Sequence, residues 1–176
     1  MDVNILFDLY VVKEGRRHGE EAVILPSIKI SKGEAIHCPS ACLPESLEKV
    51  KFVFIPMVYK DHWILVVVGK VDLRLGLKVY DSFKMLSSSF QHAVSTLEDW
   101  LRIRYSIRLR RTHWASCTQQ SRNSLSCGIF IVAYALAIIH DSSTFGDDCL
   151  ELEMNFDLLL LRDTLTLQLL RVIKQE

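Results

Sequence analysis

The chain has 176 residues, of which 49% are hydrophobic and 24% charged, a composition that suits one folded domain with a sizeable core and excludes a disordered tail. Its 21 Lys and Arg balance 21 Asp and Glu, so no excess charge calls for nucleic acid or an anionic membrane as partner. No uninterrupted apolar run reaches the roughly 18 residues of a membrane span, and no basic segment leads into an apolar one at the N-terminus, so a soluble intracellular protein, cytoplasmic or nuclear, is expected.

Asn4 to Val12 reads as an apolar-rich opening helix, and Lys13 to Glu21 as a polar turn or loop. Ala22 to Ile30 suits a strand or a short helix, whereas Ser31 to Leu43, with Pro39 and two cysteines, has loop composition. The β-branched and aromatic runs Lys51 to Val58 and Trp63 to Val68 have strand length and are joined by the short polar turn Tyr59 to His62. Leu75 to Tyr80 is a third strand, ending at Asp81 and Ser82. From Phe90 to Ile103 the apolar residues Phe90, Ala93, Val94, Leu97, Trp100 and Leu101 fall at helical spacing. Tyr105 to Arg111 alternates as a strand does, with Tyr105, Ile107 and Leu109 on one side. Cys127 to His140 is apolar throughout and too long for an ordinary strand, so it predicts a buried helix. Asp157 to Lys174 predicts an amphipathic last helix. A β-meander segregated from the helices points to an α+β fold, and no linker or repeat divides residues 1–176, which read as a single domain.

A reactive thiol needs a base to take its proton and a field that favours the thiolate. Cys127, in Ser126-Cys127-Gly128 at the head of the apolar run, would stand at a helix start, whose free N–H groups and positive dipole end supply part of that field. His62 can serve as the base and Asp81 can orient its imidazole. A side-chain amide from Gln119 or Gln120, with the Cys127 backbone N–H, can donate to an oxyanion. Each residue taken singly has a plainer reading: a buried core thiol, a turn histidine, a strand-end aspartate. Their order along one chain is what favours chemistry. A second pair, His113-Trp114, competes with His62-Trp63, but His62 precedes an apolar strand and is followed by Asp81, so it is preferred. Cys117 reads as loop or core. The five cysteines are odd in number and lack framework spacing, which fits a reducing compartment. Paired Cys-x-x-Cys knuckles are missing, so no metal is expected. Arg102, Arg104, Arg108, Arg110 and Arg111 form a basic concentration, read first as a solvated face and second as a docking surface for an acidic partner or a phosphate backbone.

The order His-Trp at a strand start, Asp after the next strand, Gln shortly before Cys-Gly, and a buried helix after that Cys resembles the SUMO and ubiquitin-like-protein proteases. Their clan also holds the adenovirus protease and bacterial acetyltransferase effectors. The resemblance runs from about Asn4 to Ile173. It implies a papain-like fold with a central, mostly antiparallel sheet flanked by helices, and a catalytic set of His62, Asp81, Cys127 and Gln120, with Trp63 over the tunnel that admits a Gly-Gly tail. The activity implied is that of a cysteine isopeptidase or processing protease, needing no cofactor and acting on a ubiquitin-like modifier and its conjugates, SUMO first and ubiquitin next. This chain departs from the family pattern in three places. Ser126 stands where those proteases carry Asp, Gln120 lies seven rather than six positions before Cys127, and the opening stretch Asp2 to Leu6 has no Trp. Two other functions fit the same pattern: an acetyltransferase effector, whose relatives carry Glu where this chain has Asp81, and a catalytically dead module that binds a ubiquitin-like protein.

Overall fold

The computed structural model of the chain describes residues 7, 11, 22–29, 36, 45–47, 50–71, 74–84, 87–110, 112–120, 126–141, 145, 149–150 and 163–164. Three long strands form its centre: β3 (Phe52–Tyr59), β4 (His62–Val71) and β5 (Arg74–Tyr80), each antiparallel to the next. The segment Ala22 to Ile30 forms two short strands, β1 (Ala22–Ile24) and β2 (Ile28–Lys29), both parallel to β3. On the far edge β6 (His113–Trp114) lies parallel to β5, completing a six-stranded sheet. A separate two-stranded pair joins β7 (Ser116–Cys117) to β8 (Cys149–Leu150).

Helix α1 (Ser88–Tyr105) starts at Ser87, whose hydroxyl accepts from the Phe90 N–H, and stops at Ser106, which turns to left-handed backbone at φ 52°. Helix α2 (Cys127–His140) has the bounds that its apolar run predicts. The two helices cover opposite faces of the sheet, and the side-chain alternation of the strands sorts the residues between them. Phe52, Phe54, Leu65 and Val67 pack with Ile129 to Ile139 of α2. Val53, Ile55, Met57, Ile64, Val66, Leu77 and Val79 pack with Phe90, Val94, Leu97 and Leu101 of α1. Because both faces are covered, β3 and β4 read as unbroken apolar runs rather than alternating ones. Each side chain buried this way contributes about 1.5–3 kcal/mol, and the first residue of α2 is thereby held against the sheet.

The strand expected over Tyr105 to Arg111 does not form: Tyr105 closes α1, and residues 106–110 follow it without joining the sheet ladder. Leu109 is buried and Arg110 donates one backbone bond to the Leu75 carbonyl, so the alternation of apolar residues reflects a segment laid along the sheet edge. The edge strand is instead His113–Trp114. The opening helix over Asn4 to Val12 and the last one over Asp157 to Lys174 lie outside the described residues, apart from Phe7 and Val11, both fully buried, and the helical residues Asp163 and Thr164. Among the described residues no helix is long and apolar enough to cross a membrane.

Candidate active site

The hairpin between β3 and β4 places His62. Tyr59 pairs with His62, leaving Lys60 and Asp61 as a two-residue turn, and both have positive φ, 48° and 62°. That is the signature of a type I′ turn, the tight reversal that matches strand twist. Pairing between β4 and β5 closes at Leu65 with Tyr80, so Asp81 emerges beside the first residues of β4. The Nε2 of His62 lies 2.7 Å from Oδ1 of Asp81, and both residues are buried, at 8% and 5% exposure. His62 is also hydrogen-bonded to the side chain of Cys127, the first residue of α2. With Nε2 turned to Asp81, Nδ1 is the ring nitrogen left to face the thiol.

Asp81 is held by more than the imidazole. Its Oδ1 also accepts from the Phe83 N–H at 2.8 Å, and its carbonyl accepts from the Gln119 amide at 3.1 Å and from the Cys117 thiol at 3.5 Å. The Phe83 bond is the side-chain-to-backbone closure that Asp makes two residues on at turns, a signal readable in Asp81-Ser82-Phe83. Cys117 is thus a buried support behind Asp81, its thiol pushed up chiefly by burial. Tyr134 of α2 closes the same region from below, donating to the Thr118 carbonyl at 2.5 Å.

The shifts of His62 and Cys127 are complementary. Burial pulls the His62 pKa down, but hydrogen bonds to Asp81 and Cys127 and the charges of both outweigh it and raise it to about 9. Burial pushes the Cys127 thiol up, yet the bond to His62, backbone N–H bonds from Trp63 and Gly128 and the imidazolium charge leave it lowered. Both shifts favour the same state, a thiolate beside an imidazolium. The Gly128 N–H belongs to the first turn of α2, where amides have no partner within the helix.

The remaining candidates divide clearly. Gln119 spends its amide on the Asp81 and Cys117 carbonyls. Gln120 is tied by its backbone N–H to the Ser82 carbonyl at 3.0 Å, and its side-chain oxygen is buried without a hydrogen-bond partner among the described residues. Trp63, half-buried against the α2 face of the core, is next to His62 and offers its backbone N–H to Cys127. His113 is exposed on β6, and Trp114 packs edge-on against Phe90 at 5.0 Å, so the second His-Trp pair serves the sheet edge. Arg102 pairs with Glu98 at 2.6 Å and Arg104 lies over the Tyr105 ring, both on the last turn of α1, where cations suit the helix dipole. Among the described residues no group of three or more His, Cys, Asp or Glu is placed to hold a metal ion. Sequence reasoning missed Phe83, whose ring centre lies 5.8 Å from that of His62.

Residues 26–174 match the model of the Ulp1 protease family, C-terminal catalytic domain. The chain belongs to the Ulp1 protease family. Solved structures that share its fold include the following two. One is a de-sumoylating protease, 14% identical over 81% of this chain, with a TM-score of 0.52. The other is the Xanthomonas campestris effector protein XopD bound to ubiquitin, 24% identical over 68% of this chain, also with a TM-score of 0.52. The chain spans 62% of the length of each of these structures. No curated protein matches it by sequence. The α+β architecture, with its antiparallel centre and flanking helices, is therefore the papain-like fold of the Ulp1 family.

Proposed function

We propose that this chain is a cysteine isopeptidase or processing protease that cleaves after the C-terminal Gly-Gly of a ubiquitin-like modifier, SUMO first and ubiquitin next. The observation that carries the reading is a buried His62 bonded on one side to Asp81 and on the other to the Cys127 thiol at a helix start. The Cys127 thiolate attacks the carbonyl carbon of the tail glycine. The Cys127 N–H and the Gln120 amide, in this reading, donate to the resulting oxyanion. His62 then gives its proton to the leaving amine as the C–N bond breaks, leaving a thioester. Water replaces the amine, His62 takes a proton from it, and hydrolysis returns the free modifier and the thiol. Trp63 covers the tail beside Cys127, and no cofactor enters any step. Free thiols at Cys117 and Cys127 suit a reducing, intracellular location.

A panel of SUMO, ubiquitin and related modifiers bearing a C-terminal electrophile tests the proposal. One of them should label the protein covalently, and Cys127→Ala should abolish the labelling while keeping noncovalent binding and the fold. Labelling that survives Cys127→Ala, or moves to sensitivity to Cys117→Ala, overturns the assignment.

A further inference from the structure

Phe83 and Ile103 are the large hydrophobic side chains exposed among the described residues, and they stand in different settings. Ile103 is 82% exposed on α1, and singly exposed apolar residues of that kind are ordinary. Phe83 is 44% exposed and its ring is tilted 56° against the His62 imidazole at 5.8 Å between centres. The imidazole does not depend on that ring for its orientation, because Asp81 holds one side and Cys127 the other. The contribution of Phe83 to Asp81 comes from its backbone N–H, which any side chain would supply. The exposed ring is therefore accounted for by neither the fold nor the placement of His62.

The reaction proposed above puts one substrate group next to this ring. An amine leaving from the scissile bond takes its proton from His62 and must come within about 3 Å of the imidazole to do so. In an isopeptide that amine ends four apolar methylenes, the stem of a lysine side chain, which packs well along an aromatic face. Resting on that reading, we infer that Phe83 is a specificity-determining residue that receives the lysine stem of the leaving group and favours isopeptide conjugates over substrates with small leaving groups. The contact lies on the leaving-group side of His62, so it acts on the first half of the reaction only.

The test compares wild type, Phe83→Ala and Phe83→Leu on two substrates of one modifier, with SUMO and ubiquitin forms run in parallel. In one the modifier is joined through an isopeptide to the lysine side chain of a short peptide, and in the other it carries a C-terminal methyl ester. Phe83→Ala should lower kcat/KM on the isopeptide about tenfold, as loss of contact with one or two methylenes does. The methyl ester should be cleaved within about twofold of wild type, Phe83→Leu should recover most of the loss, and the pH profile of Cys127 alkylation should not move. Equal losses on both substrates, a shifted alkylation profile, or no loss on either would overturn the role, the first two by making Phe83 a positioning residue for His62. A wild-type protein that cleaves neither substrate would instead overturn the protease reading, and this inference with it.

Discussion

Oδ1 of Asp81 accepts from both the His62 ring and the Phe83 backbone, at 2.7 and 2.8 Å, while the Asp81 carbonyl accepts from Gln119 and Cys117. Asp81 is thereby fixed through one carboxylate oxygen and through its backbone carbonyl. It raises the basicity of an imidazole that burial alone would lower, and through that imidazole it favours the Cys127 thiolate.

Asp81→Asn should reverse both shifts. Without the Asp81 charge the His62 pKa should fall well below 9 and the Cys127 pKa should rise, so alkylation of Cys127 will need a more alkaline solution. Following iodoacetamide reaction against pH checks this, and an unmoved profile would remove Asp81 from the pair. Stability carries the same signature. The raised His62 pKa contributes stability that is fully present below its unfolded value of 6.5 and is lost as pH rises through about 9. The lowered Cys127 pKa acts in the opposite sense, contributing above its unfolded value of 9.0 and fading as pH falls through the lowered one. Thermal melts of Asp81→Asn across that range should show a weaker pH dependence than wild type.

Gln120→Ala should lower turnover by about two to three orders of magnitude with little effect on modifier binding, as removal of a single oxyanion donor does. Gln119→Ala should cost much less, because its amide is engaged with the Asp81 and Cys117 carbonyls. Steady-state kinetics on a modifier fused to a fluorescent leaving group separates them, and a reversed ranking would move the donor to Gln119.

Gly69→Ala should destabilise the fold. A Cβ there would lie 2.7 Å from the Phe145 ring, which is itself wedged edge-on against Phe52 at 5.6 Å and lies under the Lys78 ammonium. The ring cannot withdraw without giving up those contacts, so a loss of about 1–3 kcal/mol is expected. Thermal denaturation measures it, and an unchanged midpoint would mean that the ring moves freely.

Asp61→Gly should stabilise the hairpin that places His62. Asp61 and Lys60 both occupy left-handed backbone, which costs an L-residue about 1–2 kcal/mol and glycine almost nothing. A gain of roughly 1 kcal/mol by chemical denaturation is expected, and a loss would show that the Asp61 side chain makes a compensating contact.

Local pattern was enough to locate the elements that build the site. The apolar runs at Lys51 to Val58, Trp63 to Val68 and Leu75 to Tyr80 and the uniform stretch Cys127 to His140 became β3, β4, β5 and α2, because long, strongly patterned segments must bury themselves in one way. The chain order of His62, Asp81 and Cys127 was equally readable. Tyr105 to Arg111 shows the limit, since alternation records which side chains face the core and does not say whether a neighbouring strand is there to pair. The tertiary structure alone decided that Gln119 is spent on Asp81 and that Phe83 stands beside the imidazole. Each of these is a contact between residues far apart in the chain or on different elements, formed where the ends of β4 and β5 meet the start of α2. Helical and strand periodicities repeat over a few residues and carry no information about such meetings, which arise only when the two faces of the sheet are covered and the helix start is pressed into place.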